Sequence, residues 1–212
     1  MNIALIGATG YVGSKLLDEA LARGHAVTAL VTRPEKLADR ANVTAIKVDV
    51  LDEAALAAQL RGMDAVVSAF SGHAQADVLG YYLQGFSAIV AATKAAGVPR
   101  LLVVGGAGSL EVAPGVQLVD TPEFPAQWKG TAEGARQALA LLREERELDW
   151  TMLSPAAHLD PGTRTGKFRL GTDQLLTDSA GYSGISLEDY AVALIDELER
   201  PAHSRKRFSA AY

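Results

Sequence analysis

The sequence predicts an α/β protein: a doubly wound parallel sheet with helices on both faces and a small C-terminal region that forms a pocket. Three observations carry that expectation. Short β-branched runs alternate with longer Ala- and Leu-rich runs; most of the short runs are apolar nearly throughout; and Gly7-Ala8-Thr9-Gly10-Tyr11-Val12-Gly13 joins the first run of each kind. Strands covered on both faces require continuous apolar runs. The 212 residues, 49% apolar and 21% charged, suffice for one domain spanning 1–212, with 154–212 supplying the pocket lobe.

In order, strands are expected at Ile3–Ile6, Ala26–Val31, Val43–Val48, Ala65–Ala69, Leu101–Val104 and Trp150–Leu153. Helices are expected at Tyr11–Arg23, Glu53–Leu60, Asp77–Ala96 and Ala126–Glu147. Leu16, Leu17, Ala20 and Leu21 recur at helical spacing, opposite Lys15, Asp18, Glu19 and Arg23. Gly24 and Gly97 stand where helices should stop. After Leu153 the chain turns rich in Gly, Thr and Asp, with a hairpin expected across Asp178–Gly181. A helix capped by Ser186, with Asp189 three positions on, runs to about Glu199 before Pro201. A last strand is expected at Arg207–Ala210.

Composition removes several function classes. Twenty basic against 25 acidic side chains give a net charge of −5, which disfavours nucleic acid and anionic membrane surfaces as partners. Without cysteine there are no disulfides, thiolate nucleophiles or Cys-ligated metals. No histidine pair has metal-ligand spacing, so no metal is expected. The apolar start is cut by Gly7 and Gly10 with no Lys or Arg before it, unlike a secretory signal, so a cytoplasmic location is expected. The cluster Arg205-Lys206-Arg207 reads as a solvated face.

The glycine turn has a specific mechanical reading. One glycine permits the tight turn, one lets the backbone approach a pyrophosphate, and Gly13 brings helix and strand close. Free N–H groups of Tyr11, Val12 and Gly13 would face the phosphates, with the Thr9 hydroxyl beside them. A Rossmann-type dinucleotide site is therefore expected. At the second strand end Thr32-Arg33 replaces the acidic residue that holds a ribose 2′-hydroxyl, so Arg33 favours NADP(H) over NAD(H). Later strand ends should add Asp49 and Val50 near adenine, and Ala69, Phe70 and Ser71 near the ribose and pyrophosphate. Asp49 is equally readable as a loop residue or a cap of the next helix.

The turn, the segment VTRPEKL and Ile46–Asp52 resemble atypical short-chain dehydrogenases/reductases. Leu101–Leu110, Asp149–Ala156 and Ile185–Leu194 are similar, more narrowly, to NAD(P)H–flavin reductases of the flavin reductase/biliverdin reductase B type. The resemblance covers essentially the whole chain. It implies that Gly105 and Gly106 lie by the nicotinamide, that Ser154, Pro155 and Ala156 line its pocket, and that Ser109 polarises the acceptor.

One departure matters. The resemblance places Tyr-x-x-x-Lys at the start of the helix near Ala126, where this chain has Pro125-Ala126-Gln127-Trp128-Lys129. Trp128 cannot titrate, and Lys129 has no tyrosine four residues before it. Carbonyl reduction through a tyrosyl acid is thus disfavoured. A flavin or similar planar acceptor delocalises the arriving charge, so the protein supplies mainly orientation. The loop Glu111–Gln127 reads as irregular and lid-like. Phe124, Trp128, His158 and Phe168 are candidate platforms for a flat substrate. Two alternatives stay open: an NmrA-like redox sensor without catalysis, and a sugar-nucleotide epimerase or dehydratase. Monomer and homodimer are both compatible with the sequence.

Overall fold

The computed structural model describes residues 1–37, 40–73 and 75–212. The elements in chain order are β1 (Asn2–Ile6), α1 (Tyr11–Ala22), β2 (Ala26–Val31), β3 (Val43–Lys47), α2 (Glu53–Leu60), β4 (Ala65–Ser68), α3 (Val78–Ala95) and β5 (Arg100–Val104). There follow β6 (Glu111–Ala113), β7 (Val116–Gln117), α4 (Lys129–Glu144), β8 (Asp149–Ser154), β9 (His158–Asp160), β10 (Arg169–Gly171), β11 (Gly184–Ser186), α5 (Leu187–Glu199) and β12 (Lys206–Ala211).

Eight strands form one sheet in the order β10-β12-β8-β5-β4-β1-β2-β3. All pair in parallel except β10, which runs antiparallel to β12 at the edge. Alternating side chains divide the core between the faces. Ile3 and Leu5 pack with Leu16, Leu17 and Ala20 of α1 and with Tyr190, Ala191 and Leu194 of α5. Ala4 and Ile6 point the other way, toward Leu56 of α2, Phe86 and Ile89 of α3, and Leu139 and Leu142 of α4. The strand order reverses between β1 and β4, so helices leave to opposite faces, and it is above the carboxyl ends of the strands at such a reversal that doubly wound sheets bind ligands.

Helix ends follow local chemistry. Asp52 and Asp77 cap α2 and α3 by accepting from Ala55 N–H at 3.0 Å and Gly80 N–H at 2.9 Å. The expected helix Ala126–Glu147 is shorter at both ends. Its first turn is 3-10 at Ala126–Trp128, and Glu145 is extended, its carboxylate accepting from the N–H groups of Glu147 and Leu148. The loop Glu111–Gln127 contains the β6–β7 hairpin, which sequence patterning could not show in strands of three and two residues.

In the C-terminal lobe, Asp178–Gly181 forms a closed turn rather than a strand-to-strand hairpin. Asp178 Oδ1 accepts from Ala180 N–H at 2.8 Å and Tyr182 N–H at 2.9 Å, while β11 beyond it pairs with β9. Ser186 caps α5 through Asp189 N–H at 3.0 Å. The Asp189 carboxylate does not return to the cap as a capping box would. It accepts from Thr165 N–H at 2.8 Å, Gly166 N–H at 2.7 Å and the Tyr212 hydroxyl at 2.9 Å. It thereby ties the loop after β9 and the chain's last residue to α5.

Burial alone would raise the Asp189 carboxyl, but hydrogen bonds from Thr165, Gly166 and Tyr212 hold it below the ordinary aspartate value. A depressed folded-state value stabilises the fold above the unfolded pKa, about 3.9, and that stabilisation is lost as pH falls through the folded value. Asp189→Asn should therefore cost about 2 kcal/mol at pH 7. In urea unfolding the gap between the parent and variant should shrink as pH is lowered below about 4. A gap independent of pH would contradict the assignment.

Candidate active site

The turn between β1 and α1 is built around missing side chains. Gly7 has φ +81°, and a Cβ there would lie 2.6 Å from the Ala69 carbonyl oxygen at the end of β4. A Cβ at Gly13 would lie 2.1 Å from the Gly7 carbonyl oxygen, so the first turn of α1 rests on the end of β1 with no room for a methyl group. Gly7 N–H donates to Leu30 O at 3.1 Å and Gly10 N–H to Gly7 O at 2.9 Å, closing the turn. The first helical bond is Ser14 N–H to Gly10 O at 3.0 Å, and no side chain caps the helix. The N–H groups of Tyr11, Val12 and Gly13 thus head α1 without helical acceptors. A cradle that any Cβ would fill, lined by open amides, fits a pyrophosphate. Thr9 is half-buried beside it.

Arg33 is exposed just beyond β2. Asp49 is also exposed, and its carboxylate accepts from Leu51 N–H at 3.0 Å, the loop-residue alternative, while Asp52 is the helix cap. Val50 is buried and shares a cluster with Phe70. A Cβ at Gly85 of α3 would meet the Phe70 ring at 2.4 Å and Val50 Cγ2 at 3.2 Å. Gly85 therefore gives the Phe70 ring its seat, with Tyr81 at 5.5 Å between ring centroids. Ser71 beyond it is exposed.

At the end of β5, Gly105 N–H and the Tyr190 hydroxyl both donate to Leu153 O, at 2.8 and 2.7 Å. Gly105 and Gly106 are half-buried, and Gly108 packs against Ala132 of α4. Ser109 and Ser154 are 4% and 0% exposed. Pro155 and Ala156 are buried as well. Both serine hydroxyls accept from Arg207 Nη1, at 3.3 Å for Ser109 and 3.2 Å for Ser154. Arg207 is thus not part of a solvated face, as the sequence suggested; only Arg205 and Lys206 are exposed. Its parity on β12 turns it to the α4 side of the sheet, beside Met152. Burial pushes its guanidinium below the ordinary value, against the pull of Asp173.

The remaining expected residues lie at the start of α4, in the loop before it and on β9. Lys129 opens α4 and is exposed, directly after the exposed Trp128. Trp128 stacks edge-on with His73, ring centroids 5.8 Å apart, and His73 Nε2 is 3.4 Å from Thr131 Oγ1. Phe124 is half-buried. His158 is exposed and stacks on Tyr182 at 5.0 Å, near α1, whose Tyr11 hydroxyl donates to Leu159 O at 3.2 Å. The chain does contain one Tyr-x-x-x-Lys spacing, Tyr11 and Lys15. It lies on α1 at the phosphate cradle, and Lys15 pairs with Glu188 at 3.0 Å. His73 and Arg207 were absent from the expected set because a lone loop histidine and a short basic run carry no spacing signal.

A family model described as NAD(P)H-binding matches residues 7–201. The chain belongs to that NAD(P)H-binding family. Three solved structures show how consistent the architecture is. A protein of Burkholderia pseudomallei, provisionally named an exported protein, is 46% identical over the whole of both chains, with a TM-score of 0.90. A provisional epimerase of Bacteroides thetaiotaomicron is 44% identical over 100% of this chain and 96% of that one, with a TM-score of 0.94. A provisional NADH-flavin reductase of Streptococcus pneumoniae is 36% identical over 100% and 99%, with a TM-score of 0.87. The names disagree where the fold does not, so function must be argued from the site. Among the described residues no helix is long and apolar enough to cross a membrane, and no group of three acidic or histidine side chains could hold a metal ion.

Gly13→Ala places a methyl carbon against a backbone oxygen that cannot rotate away. It should cost about 1–3 kcal/mol in urea unfolding. NADPH affinity, followed by fluorescence titration, should fall with it. Wild-type affinity in a folded variant would show that the Gly7–Gly13 contact does not shape the cradle.

Proposed function

We propose that this protein is an NAD(P)H-dependent oxidoreductase that prefers NADP(H) and reduces a flavin or similarly conjugated planar acceptor. One observation carries the reading: a complete glycine cradle is combined with an α4 start that offers Trp128 and Lys129 but no tyrosyl acid. The name of the Streptococcus pneumoniae relative, at 36% identity, supports it.

In this reading the amides of Tyr11, Val12 and Gly13, with Thr9, hold the pyrophosphate. Arg33 clamps the adenosine 2′-phosphate, and Asp49, Val50, Ala69, Phe70 and Ser71 border the adenosine half. Gly105, Gly106, Ser154, Pro155 and Ala156 frame the nicotinamide end. The bound cofactor supplies a hydride, and solvent supplies the proton that completes reduction of the acceptor. Phe124, Trp128 and His158 offer flat surfaces to the acceptor, Ser109 donates a hydrogen bond to it, and Lys129 contributes positive charge at the mouth. Such a division of labour leaves the protein orientation and polarisation, with no acid to hold. A cytoplasmic site of action and a monomeric or homodimeric state belong to the same reading.

Steady-state NADPH oxidation with FMN, FAD and riboflavin tests it directly. Saturable turnover with at least one flavin is the expected result. Tight NADPH binding without turnover on any flavin or quinone would instead favour the redox-sensor alternative. Arg33→Ala should weaken NADPH binding about tenfold, equivalent to roughly 1.4 kcal/mol, and leave NADH binding unchanged. Equal affinity for the two cofactors in the parent protein would overturn the NADP(H) preference.

A further inference from the structure

Arg207 is a buried cation whose surroundings are oddly composed for a purely structural role. Its side chain is 2% exposed, yet its one ion-pair partner among the described residues, Asp173, is half exposed. Arg207 Nε donates to Asp173 Oδ1 at 3.0 Å, and Nη2 donates to the same oxygen. That oxygen also accepts from Arg143 at 3.1 Å. Two guanidinium groups thus share one carboxylate, with Glu111 as a further acidic neighbour of Arg207. Well-packed apolar residues would occupy such a position at a lower desolvation cost.

The remaining donor, Nη1, bridges Ser109 Oγ at 3.3 Å and Ser154 Oγ at 3.2 Å. A guanidinium only donates, so each hydroxyl must accept from it and keep its own hydrogen for another partner. Among the described residues neither the Ser109 nor the Ser154 hydrogen finds an acceptor, although the two residues are 4% and 0% exposed. Ser154 ends β8, and Ser109 closes the 3-10 turn that follows β5, the neighbouring strand. Both lie at the carboxyl edge of the sheet.

We propose that Arg207 is a positioning residue: it fixes the Ser109 hydroxyl as a one-way donor toward a carbonyl oxygen of the molecule held above β5 and β8. Ser154 steadies Nη1 from the other side. The buried guanidinium behind Ser109 also favours an oxygen that gains negative charge as hydride arrives. The inference rests on the reductase reading and deepens it by naming what gives Ser109 its polarity.

A double-mutant cycle on FMN reduction by NADPH tests it, using the parent protein, Ser109→Ala, Arg207→Met and the double variant. Arg207→Met should lower kcat/KM on the order of tenfold to a hundredfold in the parent background. In the Ser109→Ala background it should cost less than about threefold, because the group it acts through is gone. Equal losses in both backgrounds would make Arg207 merely structural and overturn the proposal. Arg207→Lys keeps a buried cation but cannot hold Asp173 and two hydroxyls at once. It should show the same pattern, and it replaces Arg207→Met in the cycle if that variant does not fold. Absence of flavin turnover in the parent would overturn the reductase reading alone. The cycle is then read on the NADPH dissociation constant, where a loss confined to the Ser109 background supports Arg207 and equal losses, or none, overturn it.

Discussion

The carbonyl oxygen of Gly7 lies where a side chain at position 13 would have to begin, 2.1 Å from the site of its Cβ. Because that side chain is absent, α1 rests directly on the end of β1, and its first amides stand at the edge of the sheet. The same constraint fixes Gly7 against Ala69, so the ends of β1 and β4 meet where the strand order reverses. The phosphate cradle and the separation of the two helical layers both follow from this approach.

Around that frame the fold uses polar groups to hold what apolar packing cannot. The loop after β9 contributes little apolar surface, and carboxylates fasten it instead. Arg164 donates to buried Glu19 of α1 at 2.7 and 2.8 Å, which with Arg23 holds that carboxyl below its ordinary value against the opposing effect of burial. Glu188 accepts from Gly162 N–H at 2.8 Å, and Asp189 secures Thr165 and Gly166. The lobe is thereby anchored to α1 and α5, the helices beside the cradle, so its geometry and that of the cofactor end are mechanically linked.

The region at the carboxyl ends of β5 and β8 has a different character. Gly105 and Tyr190 share one carbonyl of β8, and Ser109, Ser154, Asp173 and Arg207 form a connected polar set beneath the loop after β5. A set joined by donors and acceptors of fixed sense has few alternative arrangements. That rigidity suits a site whose contribution is orientation.

The β/α alternation, the glycine turn, the cap at Ser186 and the succession of the main strands along the chain were legible in the residues themselves, whereas the cap of α2 fell to Asp52 and not to Asp49. Each is a local rule: a period of two or 3.6, a residue able to adopt positive φ, or an oxygen placed to meet a free N–H. Tertiary structure alone decided that Arg207 is buried, that β11 pairs with β9, that Trp128 faces His73, and that Tyr11 and Lys15 reach Leu159 and Glu188 of the C-terminal lobe. Those outcomes join segments far apart in the chain. Their energy comes from partners that no window of neighbouring residues contains, so a buried arginine and a solvated one look alike until the sheet closes around them.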